Sequence, residues 1–483
     1  MTSTPLDLDN IQGDILVGLL KNTETYYFFT IGDDVNAFRR QLSLVVPFVT
    51  STTAAMSDRA TVAQSKKEAL AQGRKPPLIP VAGFNIAFSQ PGLKKMGIVD
   101  DIGDDGFKKG QFADSQDLGD KGSTVNGKFV PDWIPAFKHA IDGVMILSGE
   151  TQLSVDKTLA QVKAILRVGA HNATIHEVIK IVGVVRPGDQ RAHEHFGFLD
   201  GISNPAVRGF DTEKPGQGQV DPGVILLGHD DTSRPAWAKD GSFLAFRYLF
   251  QLVPEFNLFL KQNPLRINNL TDEQGSELLG ARLVGRWKSG APVDLAPLAD
   301  DPELGADPMR NNNFSYSFPN DFSTQTRCPF AAHLRKTNPR NDLFQIAGPK
   351  SVEPHRIIRR GIQFGPEVTP LEAHDNRTHL GRGLLFVCYQ SVLSAGFQFL
   401  QKSWSNNRPF PPQKPQEPGI DPIIGQINPS DPNKVRSMSG TNPNLQDATL
   451  DLPTWVVPRG GEYFFSPSIS TLRDTFALGA HIQ

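Results

Sequence analysis

The segment FLAFRYLFQL at positions 243–252 runs directly into VPEFNLFL at positions 253–260. The first segment is dense in aromatic and aliphatic residues and predicts a strand, and the second has helical potential. The same strand–helix order recurs at 26–31 with 35–44 and at 384–390 with 391–401. A unit that recurs in this way predicts a chain built from two similar halves.

Further elements are predicted in the first half: strands at 81–88, 144–149 and 174–185, and a helix at 154–168. Because the strands mix polar and apolar positions, they favour antiparallel sheets with one covered face. The predicted fold class is therefore α+β. The stretch 208–223 is rich in glycine, proline and charge, so we predict an N-terminal domain of residues 1–222 and a C-terminal domain of residues 223–483.

The composition excludes several classes of protein. The chain has 483 residues, 39% of them hydrophobic and 21% charged, as in an ordinary globular protein. The formal net charge of -2 argues against a nucleic-acid binder. The chain contains no run of about 18 apolar residues, so no membrane span is expected. Met1 leads into polar residues and not into a basic and then an apolar region, so no signal peptide is expected.

The sharpest local motif is HEHFGFLDGISNP at 193–205, in which Gly197 and Gly201 bracket Asp200. Flanking glycines let the backbone approach a ligand and point the carboxylate at it. A simple turn with a hydrogen-bonded aspartate is the alternative. The same motif allows a metal site, because His193 and His195 would share one face of an extended segment beside Glu194. Solvated or hydrogen-bonded histidines are the alternative to that site.

Two further segments carry candidate chemistry. In CPFAAHLRKTNPR at 328–340, His333 follows a small apolar run and precedes a basic cluster. An imidazole in this setting can bind haem iron, with basic groups near the propionates, or it can be a core histidine. In IIRRGIQFG at 357–365, an arginine lies among apolar residues. A cation placed there is costly unless it pairs with an anion or points at a ligand.

These three segments, in this order, resemble the fungal dye-decolorizing peroxidases. The resemblance begins with NIQGDIL at 10–16, continues through LGARLVGRWKSGAP at 279–292 and reaches DPIIGQ at 421–426. It covers nearly the whole chain, and several long motifs that agree in order are more specific than any one of them. It implies two ferredoxin-like α+β domains, with peripheral helices, that hold one noncovalent haem b.

The resemblance also implies roles for individual residues. The proximal iron ligand corresponds to His333, the distal acid to Asp200 and the distal arginine to Arg359 rather than Arg360. Asp421 corresponds to the carboxylate that holds the proximal imidazole. Three further residues are expected at the haem: Leu384 and Phe386 in the distal pocket, and Arg335 at the propionates.

The implied reaction is the oxidation of bulky aromatic substrates, such as anthraquinone dyes and phenols, by hydrogen peroxide. Asp200 would move the peroxide proton and Arg359 would stabilise the developing charge. An aspartate base, with an ordinary pKa of about 3.9, favours work at acidic pH. The alternatives are a non-catalytic haem carrier and a non-haem metalloenzyme that uses His193 and His195.

Bulky dyes cannot reach the haem through a narrow channel, so a relay at the protein surface is expected. Trp404 matches a tryptophan that serves as a surface radical site in relatives, although simple packing is the alternative. Relatives often have a redox-active tyrosine where this chain has Phe364, so that relay is not expected here. The resemblance also implies a secreted, extracellular protein that acts as a monomer.

Overall fold

The structure, a computed structural model, describes residues 5–230, 233–267, 270–317, 320–427 and 435–479. Its centre is one sheet of nine strands. In chain order the strands are β1 (Thr23–Ile31), β2 (Ala82–Phe88), β3 (Gly143–Gly149), β4 (Ile175–Val184), β5 (Ser242–Gln251), β6 (Ile358–Arg359), β7 (Ile362–Phe364), β8 (Gly383–Gln390) and β9 (Val456–Ser466).

The sheet joins the two halves of the chain. Its order is β6-β8-β5-β9-β2-β3-β1-β4, β7 also pairs with β8, and every pairing is antiparallel. Strand β9 links the halves, because it pairs with β5 along its length and places Phe465 opposite Phe88 of β2. The α+β class and the antiparallel sheet are confirmed. The division at residue 222 stays a prediction.

The two ends of the sheet approach each other. A Cβ atom built at Gly183 of β4 would lie 2.3 Å from the Cγ2 atom of Ile362 in β7. Only a glycine permits this contact, and through it the sheet curves toward a barrel. The inside of the curve is filled by aromatic rings, such as those of Phe28 and Phe246, whose centroids are 4.9 Å apart.

The prediction of one covered face is wrong for the central strands. Strand β3 is buried at every position, and β1 at all but one. Their polar side chains find partners inside the protein: the Glu24 carboxylate accepts hydrogen bonds from Lys21, Tyr26 and Ser148. Only paired polar groups can be buried at low cost, so polar positions in a strand do not by themselves indicate solvent. Strand β4 does alternate between buried and exposed positions.

The longest helices of the described chain are α1 (Val35–Val45), α2 (Thr52–Ala71), α3 (Gln152–Ile165), α4 (Val253–Gln262) and α5 (Asp272–Val284), and the short helix α6 (His333–Thr337) carries His333. Helices α1 and α3 pack on the outer face of the sheet through apolar residues such as Leu42 and Leu159. The predicted helices at 35–44, 154–168 and 253–260 are confirmed within a few residues. No helix in the described part of the chain is long and apolar enough to cross a membrane.

Shorter elements connect these. Helical turns lie at Gly13–Leu16, Val46–Phe48, Gln90–Lys95, Asp105–Lys109, Gln111–Asp114, Pro135–Lys138, Gly188–Gln190, Pro222–Val224, Ala236–Ala238, Pro302–Ala306, Asn341–Ala347, Glu353–His355, Pro370–Asp375, Phe397–Phe399 and Ile469–Thr471. Two π-helices span Leu400–Ser405 and Leu472–Phe476. Small two-stranded sheets pair Gly122–Val125 with Lys128–Pro131, Ala206–Val207 with Gln219–Val220, and Ser437–Ser439 with Thr449–Asp451.

Helix α5 positions the short helix that carries His333. It begins with a capping box, in which Thr271 and Gln274 bond each other's backbone N–H groups. It ends at Gly285, whose φ of 92° is the left-handed conformation that glycine adopts freely. A Cβ atom at Gly285 would lie 2.8 Å from the Cβ atom of Leu334, so a side chain there would push α6 away.

Candidate active site

A large cavity lies between strands β5 and β8 on one side and helix α6 on the other. Much of its wall is apolar, with Phe196, Phe198, Leu249 and Ile423 among its members. Leu384 and Phe386, both predicted to line the distal pocket, lie on this wall as well. The predicted ligand and the two predicted distal residues reach the same space: His333, Asp200 and Arg359.

His333 is held by a buried carboxylate. Its Nδ1 atom lies 2.9 Å from Oδ2 of Asp421, and the side chain of Asp421 is fully buried. The other carboxylate oxygen accepts hydrogen bonds from the backbone N–H groups of Ile423 and Ile424, at 2.8 and 3.0 Å. With Nδ1 donating to Asp421, Nε2 of His333 is left without a proton and can bind a metal.

His333 and Asp421 each stabilise the charged form of the other. Burial opposes the charged form of Asp421, but His333 and the two backbone donors lower its pKa below the ordinary value. Burial likewise opposes protonation of His333, and Asp421 raises its pKa against that effect. An anionic partner on the far nitrogen increases the basicity of a ligating imidazole. The pair predicted from the sequence therefore meets in the structure.

Asp200 and Arg359 form a second pair on the cavity wall. The Nη1 atom of Arg359 donates to Oδ1 of Asp200 at 2.7 Å, and each side chain remains about one third exposed, at 33% and 31%. Burial raises the pKa of Asp200, but Arg359 outweighs this effect, and the pKa lies below the ordinary value. The carboxylate is therefore ionised over a wide range of pH.

Local backbone geometry positions the Asp200–Arg359 pair at the cavity. Gly197 and Gly201 both have positive φ, at 96° and 78°, so the predicted need for glycine on each side of Asp200 is met. The side chain of Asn204 bonds both backbone groups of Arg359: it accepts from the N–H at 3.0 Å and donates to the carbonyl at 3.3 Å. The motif at 193–205 contains Asn204, but its hydrogen bonds to Arg359 could not be predicted before the fold was known.

Arg335 does not lie at the cavity, so its prediction as a propionate contact is wrong. Its guanidinium is completely buried and forms a two-pronged ion pair with Asp342, at 2.6 and 2.7 Å. It is also stacked near the rings of Tyr316 and Phe330. In the short helix α6, a residue two positions after His333 points away from the cavity, where Asp342 stabilises it.

Two other arginines, Arg286 and Arg356, do line the cavity. Arg286 lies in the segment 279–292, which resembles the known peroxidases, but no function was predicted for it. Its guanidinium donates to the carbonyls of Gly290 and Asn311, at 2.9 and 2.6 Å. That of Arg356 donates to the carbonyl of Gln217 at 3.1 Å.

The positive charge of these two arginines bears on whether the cavity can hold a haem. Burial and the neighbouring cations Arg340 and Arg359 lower the pKa of Arg286 to about 9 and that of Arg356 to about 10. Buried cations that repel one another need anionic partners, and the two propionates of haem b are such partners. The apolar walls and the free Nε2 atom of His333 fit the ring and the iron. The residues present therefore fit the group.

The two-histidine metal site that the motif allows does not form. Nε2 of His195 lies 2.9 Å from the carbonyl oxygen of Phe364, and burial lowers the pKa of His195 to about 4. Nδ1 of His193 lies 3.2 Å from the carbonyl oxygen of Arg191, and Glu194 accepts backbone N–H groups instead. Across the described residues there is no cluster of three or more His, Cys, Asp or Glu that could hold a metal ion.

Trp404 is buried, although it matches a surface tryptophan of relatives. It belongs to the π-helix Leu400–Ser405, its side chain is only 3% exposed, and it stacks on Phe410 with ring centroids 5.0 Å apart. The helix turns the indole inward, toward the cavity wall. Phe364, where relatives often have tyrosine, is buried against Tyr248 with ring centroids 4.7 Å apart.

Comparisons with known proteins agree over nearly the whole length. A family model described as the DyP dimeric alpha+beta barrel domain matches residues 10–187, and a second, described as Dyp-type peroxidase, C-terminal, matches residues 191–409. Peroxidase 2 of Mycetinis scorodonius is 45% identical over 493 residues, which cover 99% of this chain and 89% of that protein.

Solved structures agree in fold as well. The structure of an ancestral D-type dye-decolorizing peroxidase is 58% identical, covers 98% of this chain and 100% of its own, and has a TM-score of 0.91. A dye-decolorizing peroxidase in complex with 2,6-dimethoxyphenol is 44% identical, with the same coverage and a TM-score of 0.86. Because such identity and such agreement of fold extend over nearly all of the sequence, the chain belongs to the dye-decolorizing peroxidases, haem enzymes that oxidise their substrates with hydrogen peroxide.

Proposed function

We propose that this enzyme oxidises bulky aromatic compounds, dyes and phenols among them, with Asp200 as the distal acid–base, Arg359 as its electrostatic partner and His333 as the proximal ligand. The observation that carries the proposal is the convergence of the Asp200–Arg359 pair and the Asp421-held imidazole on one cavity. The relative that binds 2,6-dimethoxyphenol supports a phenolic substrate. Membership of an enzyme family excludes the haem carrier considered above.

The protein groups divide the work as follows. When bound, haem supplies the iron at which the O–O bond of peroxide is broken. The Asp200 carboxylate takes the proton from the inner peroxide oxygen and returns it to the outer oxygen, which leaves as water. Arg359 stabilises the charge that develops on the separating oxygens. Asp421 keeps Nε2 of His333 free of a proton and strengthens it as a ligand.

The absorption spectrum of the purified holoenzyme tests this proposal. One equivalent of peroxide is expected to change the haem spectrum, and a phenol or dye is then expected to restore it. A haem spectrum that does not respond to peroxide would contradict the proposed distal chemistry.

Arg359→Leu is expected to reduce the bimolecular rate of reaction with peroxide by about 10²–10³-fold, the usual cost of removing one preorganised donor. It should also move the acid limb of the pH profile. The carboxylate is the active form of Asp200, so activity falls as pH drops through the pKa. Arg359 lowers that pKa and burial raises it, so the limb should move to higher pH in the variant. Stopped-flow rates between pH 3 and pH 8 measure both effects.

Arg360→Leu is the matched control for this experiment. The neighbouring guanidinium points the other way and donates to the carbonyls of Asp14 and Leu16. It can affect stability but not the distal charge. If the two variants have the same pH profile, Arg359 does not set the ionisation of Asp200.

We also propose that Trp404 passes electrons from bulky substrates to the oxidised haem. Trp404→Phe is then expected to lower turnover of a large dye by about tenfold or more, or ~1.4 kcal/mol, because phenylalanine is not readily oxidised. Reaction with peroxide should keep its rate. Trp237→Phe is the control, because this tryptophan packs on Phe465 and Phe476, neither of which lines the cavity. Unchanged dye kinetics in Trp404→Phe would refute the relay.

Two broader properties stay proposals that rest on the resemblance to fungal enzymes. We propose that the protein acts outside the cell and as a monomer. Detection of activity in the medium of the producing organism tests the first. Light scattering on the purified holoenzyme tests the second, and a mass near twice 53.0 kDa would overturn it.

A further inference from the structure

One aromatic side chain lies between the haem cavity and Trp404. His355 is on the cavity wall, and its ring centroid is 5.1 Å from that of Trp404, with the ring planes at 70°. Two other rings contact this indole: Phe410 at 5.0 Å and Phe399 at 5.5 Å. Neither of these belongs to the described cavity wall. His355 is therefore the ring that touches both the cavity and Trp404.

The imidazole of His355 is fixed in this position. Its Nδ1 atom donates to the carbonyl of Ala395 at 2.7 Å, and its face stacks on Phe399 at 3.8 Å, with the planes only 5° apart. Burial lowers the pKa of His355, which favours the neutral ring. A neutral ring beside Trp404 does not oppose the positive charge that the indole acquires when it loses an electron.

A second connection to the cavity exists through hydrogen bonds. Nζ of Lys336, on the helix that carries His333, donates to the carbonyl of Trp404 at 3.2 Å. This connection reaches the backbone of Trp404 and not its ring. It also runs through the flexible four-carbon side chain of a lysine. The ring contact of His355 is the connection that reaches the indole itself.

We propose that His355 is the bridging side chain through which Trp404 delivers electrons to the haem. The inference rests on the relay proposed above and names its intermediate contact. In each step Trp404 would lose one electron, and bound haem, after reaction with peroxide, would supply the acceptor for it. The bulky substrate, which stays outside the protein, loses one electron and thereby restores the buried indole. His355 is neither oxidised nor protonated in this scheme, and so it is a positioning residue and not a catalytic one.

Two substitutions separate the ring of His355 from its hydrogen bond. His355→Phe keeps an aromatic ring against Trp404 but removes the donor to Ala395. His355→Asn keeps a donor but removes the ring. Holoenzyme is mixed with one equivalent of peroxide, frozen at successive times and examined by electron paramagnetic resonance. The tryptophan radical signal is expressed per bound haem, so that a loss of haem does not affect the comparison.

If the ring is the bridge, the radical should appear about tenfold more slowly in His355→Asn and within a few-fold of the wild-type rate in His355→Phe. Equal slowing in both variants would overturn the proposal, since it would show that the hydrogen bond, and with it the loop, is what matters. Wild-type rates in both variants would also overturn it.

Three further variants make the outcome specific. Phe410→Leu removes a ring that stacks on Trp404 but does not line the cavity, and it should leave the rate of radical formation near that of the wild type. Lys336→Met tests the hydrogen-bonded connection, and if it slows the radical more than His355→Asn does, the bridge is Lys336. Trp404→Phe should abolish the signal. A signal that persists in Trp404→Phe refutes the relay itself, whereas its loss there with no effect of His355→Asn refutes the bridge alone.

Discussion

Replacement of Asp200 by asparagine is expected to slow the reaction with hydrogen peroxide by about 10²–10⁴-fold, the range for loss of a positioned acid–base group. Asparagine has nearly the shape of aspartate but cannot accept and return a proton. Its amide oxygen can still accept the hydrogen bond from Arg359, which now spans 2.7 Å. The distal geometry should therefore survive while the proton transfer does not.

The measurement is the stopped-flow rate of the haem spectral change over a series of peroxide concentrations. Asp189→Asn, which alters an exposed aspartate just upstream, is the matched control and should retain the wild-type rate. A loss of less than about tenfold in Asp200→Asn would show that another group moves the proton. Haem content and melting temperature, measured for each variant, show that the fold is intact.

The second large effect is expected at the opposite wall. His333→Ala removes the group that is placed to bind iron, and the protein should lose most of its haem and with it nearly all peroxidase activity. Asp421 would lose its cationic or donor partner but would keep the backbone N–H groups of Ile423 and Ile424. The fold should therefore survive with reduced stability, and added imidazole should restore part of the haem absorbance by occupying the vacated space.

The ratio of the Soret absorbance to the protein absorbance measures this loss directly. His374→Ala removes an exposed histidine, whose side chain is 86% exposed, and should leave the ratio unchanged. A His333→Ala protein that keeps both the Soret band and its activity without imidazole would show that another residue binds the iron.

Local sequence patterns predicted the strands that surround the site but missed the strand that holds the sheet together. The strand β9 contains Pro458, Gly460 and Gly461, which interrupt the pattern of a strand. In the structure these residues lie at an irregularity, where the register with β5 shifts between Pro458 and Gly461. Pairing on both sides, which only the full fold supplies, outweighs the poor local preference.

For single residues of the site as well, local sequence patterns could not predict contacts that depend on the full fold. Motifs indicated Asp200, His333 and Arg359 because each lies in a distinctive local context. Their pairing could not be derived from spacing, since Asp200 and Arg359 are 159 positions apart and His333 and Asp421 are 88 apart. The resemblance to known peroxidases supplied those pairs.

Arginines were assigned less well than the other residues. Arg335 is close in sequence to His333, yet it binds Asp342 in the core. Arg286 and Arg356 reach the cavity from segments whose direction depends on the packing of helix α5 and of the 3₁₀ turn at Glu353–His355. The sequence shows that a cation is present but not where a long side chain ends.

The position of β9 has a consequence for how the enzyme is made. This strand is the last of the nine to leave the ribosome, yet it lies in the middle of the sheet, between β5 and β2. Until it is synthesised, the nascent chain has two incomplete sheets with open edges, which are prone to aggregation. Its first residue, Val456, also forms part of the haem cavity. The haem pocket is therefore complete only after β9 has been synthesised, and a chain shortened before β9 lacks both a closed sheet and a complete pocket.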